Sequence, residues 1–122
     1  MYKEMREQTY LVLTALAAGR RHGYALINDV EALSDGRVVL RAGTLYAMVD
    51  RLVAEGLIAP DGEEVVDGRL RRYYALSAAG SDELRAVSMR MAATAKVALG
   101  RLRTTGWAPA GAPTVTPGTA PA

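Results

Sequence analysis

The residues best suited to chemistry in this sequence are arginines, and three of them stand together at Arg69, Arg71 and Arg72. A guanidinium group is planar and always charged, and its paired N–H donors match the oxygens of a phosphate. The competing interpretation is that they form ion pairs across a hairpin. The carboxylates available for such pairs are Glu63, Glu64 and Asp67. The cluster therefore predicts either a phosphate contact or a salt-bridged hairpin, and we favour phosphate for Arg69 and Arg71.

Residue types for catalysis or metal binding are scarce. The chain has no cysteine and one histidine, which excludes a thiolate nucleophile, a disulfide and a His-rich metal site. Neither a Gly-x-Ser-x-Gly elbow nor a glycine-rich phosphate loop occurs. The single histidine, His22, precedes Gly23 at an expected helix start, so we interpret it as structural. We expect no enzyme activity, no cofactor and no metal.

The charge distribution requires any phosphate contact to be local. Residues 1–83 carry ten basic and thirteen acidic side chains, a net of −3, whereas residues 84–103 carry five basic and none acidic. A negative average does not attract a polyanion, so individually placed arginines must bind it at short range. Arg37 and Arg41, which flank a predicted helix start, are further candidates, although an exposed arginine is usually only solvated.

Three segments show apolar residues at helical spacing, which predicts helices over residues 3–18, 23–33 and 42–55. Gly19 and Gly56 supply two of the stop signals. Three short amphipathic helices with tight connections make a compact trihelical unit.

The hydrophobic period then changes from 3.6 to 2 over residues 69–76. Asp67-Gly68 is a strong hairpin turn signal, and residues 64–66 supply the partner strand. We expect Leu70, Tyr74 and Leu76 to face inward. A hairpin after a trihelical unit predicts a winged helix-turn-helix over residues 1–76, mainly α with a small β-hairpin. This order places the third helix beside the hairpin tip.

The solvent face of the third helix carries hydrogen-bonding groups. It shows Thr44, Tyr46, Ala47, Asp50 and Arg51. Hydroxyl, phenol and guanidinium groups contact phosphates or base edges of DNA. The alternatives are that Tyr46 is half-buried packing and that Arg51 pairs with Asp50 or Glu55.

A long fourth helix is predicted over residues 77–103, with Ser77 as its N-cap. Roughly 25 helical residues extend about 38 Å, which is too long for the small winged helix-turn-helix of residues 1–76 to cover. We therefore expect it to bury an apolar stripe on a second copy and form a homodimer. The stripe consists of Leu84, Val87, Met91, Ala95, Ala98 and Leu102.

Residues 104–122 have no charge and four of the five prolines, which predicts a disordered tail. Within it, Trp107 either packs on the last helix or is solvated.

Several of these motifs together resemble the PadR family of winged-helix regulators. The resemblance rests on His22-Gly23-Tyr24, on Gly43-Thr44-Leu45-Tyr46, on Arg51-Leu52 with Glu55-Gly56-Leu57-Ile58, and on the run from Arg71 to Gly80, and it covers about residues 5–103. Ala47 stands where the family often has proline, and Ser77 where it has threonine. Neither departure changes the type of contact.

The resemblance implies a repressor that binds an inverted-repeat operator in double-stranded DNA, and the lack of a signal-peptide pattern or a long apolar run predicts a cytoplasmic protein. The resemblance also implies a phosphate contact by Tyr46, a basic wing strand on the DNA backbone and, for the smaller subfamily, dimerisation through the single C-terminal helix. Some relatives in that subfamily bind flat hydrophobic compounds at the dimer interface with an aromatic residue on this helix, which suggests release of the repressor by a hydrophobic or phenolic small molecule. The comparable position here is Met91, so Met5, Met89 and Met91 are either an effector pocket or plain core.

Two other functions stay open. A winged helix can bind a protein partner without sequence-specific DNA binding, and the net negative charge of residues 1–83 mildly favours this function. The chain could also belong to a neighbouring regulator superfamily such as MarR or ArsR, against which the Gly-Thr-Leu-Tyr and Arg-Arg-Tyr-Tyr pair argues. No apolar run is long enough to suggest a membrane segment.

Overall fold

A computed structural model describes residues 5–106, in which five of the seven elements form a trihelical unit followed by a hairpin. The order is α1 (Glu7–Ala17), β1 (Arg21–His22), α2 (Gly23–Leu33), α3 (Ala42–Ala54), β2 (Ile58–Val66), β3 (Arg69–Leu76) and α4 (Ala78–Thr104). This confirms the predicted winged helix-turn-helix with a long C-terminal helix.

The core lies between the three helices and the base of the hairpin. Side chains from every helix of the trihelical unit are fully buried there because their apolar positions recur at intervals of three and four. The largest fully buried side chains are Leu13, Leu26, Leu45 and Leu52 from the helices and Ile58 from the first residue of β2.

The hairpin forms as its turn residues dictate. Asp67 and Gly68 both have positive φ, 51° and 76°, which is the backbone of a turn that matches the twist of two antiparallel strands. Val66 pairs with Arg69 next to the turn. The prediction for Leu70 is wrong: the residue is 53% exposed, because the tip of the hairpin extends beyond the helices that could cover it.

The sheet has a third strand that the sequence did not indicate. The strand order is β1-β3-β2, and β1 pairs antiparallel to β3 with Arg21 opposite Tyr74 and His22 opposite Tyr73. A strand of two residues has no periodicity to detect. Strand β2 is also longer than predicted, since it starts at Ile58 and passes through an irregularity between Pro60 and Glu63.

The helix ends differ slightly from the prediction. Helix α1 begins at Glu7, and Met5 and Arg6 are not helical, because Arg6 is the extended N-cap with ψ 150°. Residues 3 and 4 lie outside the described residues. Thr104 is helical although it was assigned to the tail, and Trp107 with the rest of that tail lies outside the described residues.

The start of α4 is held by two local features. The Gly80 backbone N–H donates to Ser77 Oγ at 2.9 Å, which confirms Ser77 as the N-cap. The Ser77 hydroxyl in turn donates to the Gly56 carbonyl at 2.6 Å. Gly80 lies directly against the Leu57 backbone, where a Cβ atom would overlap the carbonyl oxygen.

The chain divides into two compact units, Met1–Val87 and Ser88–Ala122. The first, described from residue 5, contains the winged helix-turn-helix and the first turns of α4. The second, described to residue 106, is the remainder of α4. The division predicted at residues 76 and 77 stays a prediction. None of the described helices has the length and apolar character needed to cross a membrane.

Candidate nucleic-acid interface

The third helix presents the face that its periodicity predicts. Leu45, Met48, Val49 and Leu52 are buried. The side chains on the opposite side are exposed: Thr44, Tyr46, Ala47, Asp50 and Arg51. Two grooves flank this face, and they differ in charge.

The wing groove has a volume of about 660 Å³ and lies between α3, the start of α2 and strand β3. Its lining consists of His22, Gly23, Tyr24, Tyr46, Arg69, Leu70, Arg71 and Arg72. Three cations and no carboxylate therefore surround it, although the region from residue 1 to 83 is net negative. Excess positive charge in one concave place attracts a polyanion more than the same charge spread over a surface.

The arginines of the wing groove differ in their availability. Among residues 5–106, no carboxylate lies within ion-pair distance of Arg69 or Arg71, whereas Arg72 Nε is 3.6 Å from Glu63 Oε1. Glu64 is opposite Arg71 across the hairpin, but it accepts a hydrogen bond from the Tyr73 hydroxyl at 2.9 Å. The cross-strand ion pairs considered for Arg69 and Arg71 are thus not formed.

Tyr73 attaches the wing to the segment before α2. The Arg20 guanidinium carbon lies 4.3 Å from the centroid of the Tyr73 ring, which is a cation–π contact. The His22 ring packs on it edge-on, with 5.5 Å between centroids. Arg20 also donates to the Asp61 carbonyl at 3.0 Å. These contacts hold strand β3, and with it the groove arginines, relative to α2.

His22 is the N-cap of α2. Its Nδ1 accepts a hydrogen bond from the Ala25 backbone N–H at 3.3 Å, which requires that nitrogen to be unprotonated. Burial and, secondly, the nearby Arg71 charge lower the pKa of His22, while Glu64 acts in the opposite direction. The neutral imidazole is the form that can cap the helix, so its role is structural.

The α1 groove lies on the other side of α3 and has a volume of about 780 Å³. Its lining comes from the start of α1, from α3 and from the residues near the α4 start: Met5, Arg6, Gln8, Thr9, Gly43, Thr44, Ala47, Met48, Arg51, Leu52, Glu55, Leu57 and Glu83. Two arginines face two glutamates here, so this groove is electrically balanced.

Two arginines predicted to contact phosphate are engaged by other side chains. Arg51 Nη1 lies 2.9 Å from Glu55 Oε1, and Arg51 Nη2 donates to the Thr9 hydroxyl at 3.0 Å. Arg37 donates to both carboxylate oxygens of Glu7, at 2.7 and 2.8 Å, and these hydrogen bonds lower the pKa of Glu7. The pair with Glu55 that was considered for Arg51 is therefore formed, and a phosphate contact by Arg51 stays a prediction.

Arg41 differs from both. It is the extended N-cap of α3, its side chain is exposed, and it forms no ion pair within the described part of the chain.

The predicted dimer stripe falls partly in each unit. In the first unit Val87 is buried and Leu84 is partly buried. In the second unit Met91, Ala95 and Ala98 are exposed, and Leu102 is partly exposed. Of the predicted effector residues, Met5 lines the α1 groove, whereas Met89 and Met91 are exposed on α4.

Sequence reasoning missed Gly23, Tyr24 and Leu70 as lining residues of the wing groove. For Leu70 the signal available in the sequence was its position beside the hairpin turn, which lies beyond the reach of the helices. The signal for Gly23 and Tyr24 was their place in one of the motifs, which gave no information on what they contact.

The chain is similar to known regulators in sequence and in fold. A family model described as the transcriptional regulator PadR-like family matches residues 12–86. A PadR family transcription regulator from hypervirulent Clostridium difficile is 23% identical, with a TM-score of 0.66 over 80% of this chain and 99% of that chain. A PadR-like transcriptional regulator from Bacillus cereus is 19% identical, with a TM-score of 0.64 over 77% of this chain and 89% of that one.

A third similar structure is that of Bacillus subtilis PadR in complex with operator DNA. It is 21% identical, with a TM-score of 0.59 over 66% of this chain and 46% of that one. No protein with a curated description matches the sequence. Identities this low show a shared fold, while the family model identifies the regulators among which the sequence belongs.

Proposed function

This chain belongs to the transcriptional regulator PadR-like family, and on that premise we propose that it is a repressor that binds double-stranded operator DNA as a homodimer in the cytoplasm. The observation that carries this proposal is the wing groove, where Arg69 and Arg71 are unpaired among the described residues and no carboxylate contributes. A duplex carries a phosphate charge every few ångströms, so two free guanidinium groups in one groove suit its backbone.

The exposed face of α3 is proposed to lie in the major groove. Thr44 and Tyr46 offer hydroxyl groups and Ala47 a methyl group at the surface, and groups of these kinds contact phosphates and base edges. Arg41 at the helix start is a proposed phosphate contact. Arg37, Arg51 and Arg72 are proposed as weaker contacts, because each must exchange a carboxylate for a phosphate.

Dimerisation is proposed to occur through α4. The Met91, Ala95 and Ala98 side chains are exposed in a single chain at helical spacing with Leu102, and a partner helix would bury them. The Bacillus subtilis structure was solved with operator DNA, which supports an operator as the ligand here. Two wings related by a twofold axis suit an inverted repeat whose half-sites lie about one or two helical turns apart.

Release by a small hydrophobic or phenolic compound is the second part of the proposal. The support is the thioether side chains of Met89 and Met91, which are exposed on α4 and are adaptable apolar contacts. Such a compound should lower operator affinity, and Met89→Lys, at an exposed position outside the dimer stripe, should abolish that effect without changing affinity in its absence.

The test of DNA binding is a titration against an inverted-repeat duplex and a scrambled duplex at several salt concentrations. We expect a steep loss of affinity as salt rises, because bound phosphates release counterions. The variant Leu84→Glu with Leu102→Glu should be monomeric in light scattering and should bind the operator far more weakly. Binding that hardly changes with salt, or an unaltered chain that is monomeric at micromolar concentration, would favour a protein-interaction module instead.

A further inference from the structure

Gly23 lies unusually close to a side chain of the third helix. A Cβ atom at this position would be 2.7 Å from the Tyr46 hydroxyl oxygen, 3.0 Å from Cζ and 3.2 Å from Cε1. Gly23 is buried, whereas Tyr46 as a residue is 48% exposed. Because Gly23 has no side chain, the end of the Tyr46 ring can occupy the space beside its Cα atom.

The backbone at Gly23 does not itself require glycine. Its φ is outside the left-handed region, unlike that of Gly36 or Gly56. Alanine has a higher helix propensity than glycine, so at the first residue of α2 glycine is unfavourable on local grounds. The contact with Tyr46 is the feature that accounts for it.

The consequence of filling this space differs from that at the other crowded glycine. At Gly80 the obstacle is the Leu57 backbone, which cannot move without disturbing the fold. At Gly23 the obstacle is the far end of one side chain, which is half exposed and can rotate away. A substitution at Gly23 should therefore displace Tyr46 rather than unfold the protein.

The position of Tyr46 matters because its ring lines the wing groove with Arg69, Arg71 and Arg72. We propose that Gly23 is a positioning residue for DNA binding, which holds the Tyr46 hydroxyl beside the wing arginines by leaving room for the ring. This inference rests on the proposed function, since Tyr46 acts on DNA only if the wing groove does. It connects two motifs, His22-Gly23-Tyr24 and Gly43-Thr44-Leu45-Tyr46, through one contact.

A double-mutant cycle on operator affinity tests the inference. The variants are Gly23→Ala, Tyr46→Ala and the two combined. Gly23→Ala should lower operator affinity about tenfold, which is a loss of about threefold in each subunit of a dimer. In the Tyr46→Ala background the same change should have no further effect, because the displaced ring is absent. Tyr46→Phe, which keeps the ring, should lose affinity about as much as Gly23→Ala.

The matched control is Gly100→Ala, since Gly100 is also a helical glycine but has open space around the added atom. It should bind the operator like the unaltered chain. If both the unaltered chain and Gly100→Ala fail to bind DNA with salt-dependent affinity, the proposed function is wrong. If both bind and Gly23→Ala binds equally well, only the positioning role is wrong. Losses that multiply in the double variant would also overturn it, because Gly23 would then act without Tyr46.

Circular dichroism and thermal unfolding separate positioning from folding. We expect Gly23→Ala to keep the far-ultraviolet spectrum of the unaltered chain. If that single variant does not fold, the combined variant decides: a folded protein with the affinity of Tyr46→Ala supports the inference. A combined variant that is also unfolded would overturn it.

Discussion

The two grooves beside α3 both contain arginines but offer different charge to a ligand. The wing groove has Arg69 and Arg71 without ion-pair partners among residues 5–106, whereas Arg51 in the α1 groove is held by Glu55 and Thr9. The count of arginines is thus a poor measure of phosphate affinity. What matters is whether the guanidinium group must first leave another partner.

The cost of leaving a partner is modest but sufficient to rank the arginines. An exposed i,i+4 ion pair contributes about 0.3–0.5 kcal/mol, so Arg51 could still turn to a phosphate with a reduced gain. Arg69 and Arg71 would exchange only water. The proposed interface is therefore asymmetric about α3, with the stronger phosphate contacts on the wing side.

The largest expected effect comes from removing a free arginine of the wing groove. Arg71→Ala should lower affinity for the operator and for random DNA about equally. If the loss is about 1 kcal/mol in each subunit, a dimer binds roughly thirtyfold more weakly. The salt slope should fall by roughly one for each subunit. Unchanged affinities and an unchanged slope would mean that the wing does not contact phosphate.

The matched change in the α1 groove should have a smaller effect. Arg51→Ala should lower operator affinity by about fivefold or less in a dimer. Arg51 can reach a phosphate only after it leaves Glu55, so the net contribution of that contact to binding is small. Both variants are measured on the same duplexes under the same salt series. A loss for Arg51→Ala equal to that for Arg71→Ala would remove the difference between the grooves.

Releasing Arg51 from its ion pair should change DNA affinity in the opposite direction to removing Arg51. Glu55→Gln removes the carboxylate while keeping a side chain of the same shape, so the guanidinium group becomes available. We expect DNA affinity to rise by about twofold and thermal stability to fall slightly. Fluorescence anisotropy and a melting curve on one sample measure both. A decrease in affinity would indicate that Glu55 positions Arg51 for DNA.

The smallest expected effect is the pH dependence of stability that comes from His22, the neutral imidazole in the lining of the wing groove. Burial in the folded chain lowers the pKa of His22 below its ordinary value of about 6.5, so the unfolded chain binds the proton more readily. Stability should therefore decrease as pH falls from above 6.5 through the folded pKa. His22→Asn keeps a side-chain acceptor at the N-cap and should reduce the melting-temperature difference between pH 7.5 and 5.5, because the proton uptake linked to His22 is removed.

His22 is the only histidine in the chain, so the comparison isolates one imidazole. The carboxylates titrate in both proteins and cancel. If the two melting temperatures change with pH in parallel, the capping imidazole does not couple folding to protonation.

Much of the fold followed from sequence alone because its signals are local. Helix α2 spans residues 23–33 as predicted, the Asp67-Gly68 turn has the positive φ angles that its residues favour, and Ser77 caps α4. A cap, a turn and a helical period all act within about four residues. The Arg51–Glu55 pair, considered from the sequence, has that same spacing.

Other features of the interface were decided only by tertiary structure. Glu7 and Arg37 pair across 30 residues of sequence, and Thr9 holds Arg51 across 42. Strand β1 exists only because β3 provides hydrogen-bond partners, and Gly23 contacts Tyr46 only because α2 and α3 pack together. Sequence patterns identify which residues carry charge or hydroxyl groups. Which of those groups are already engaged depends on neighbours that the chain brings together over long separations, and no local rule contains that information.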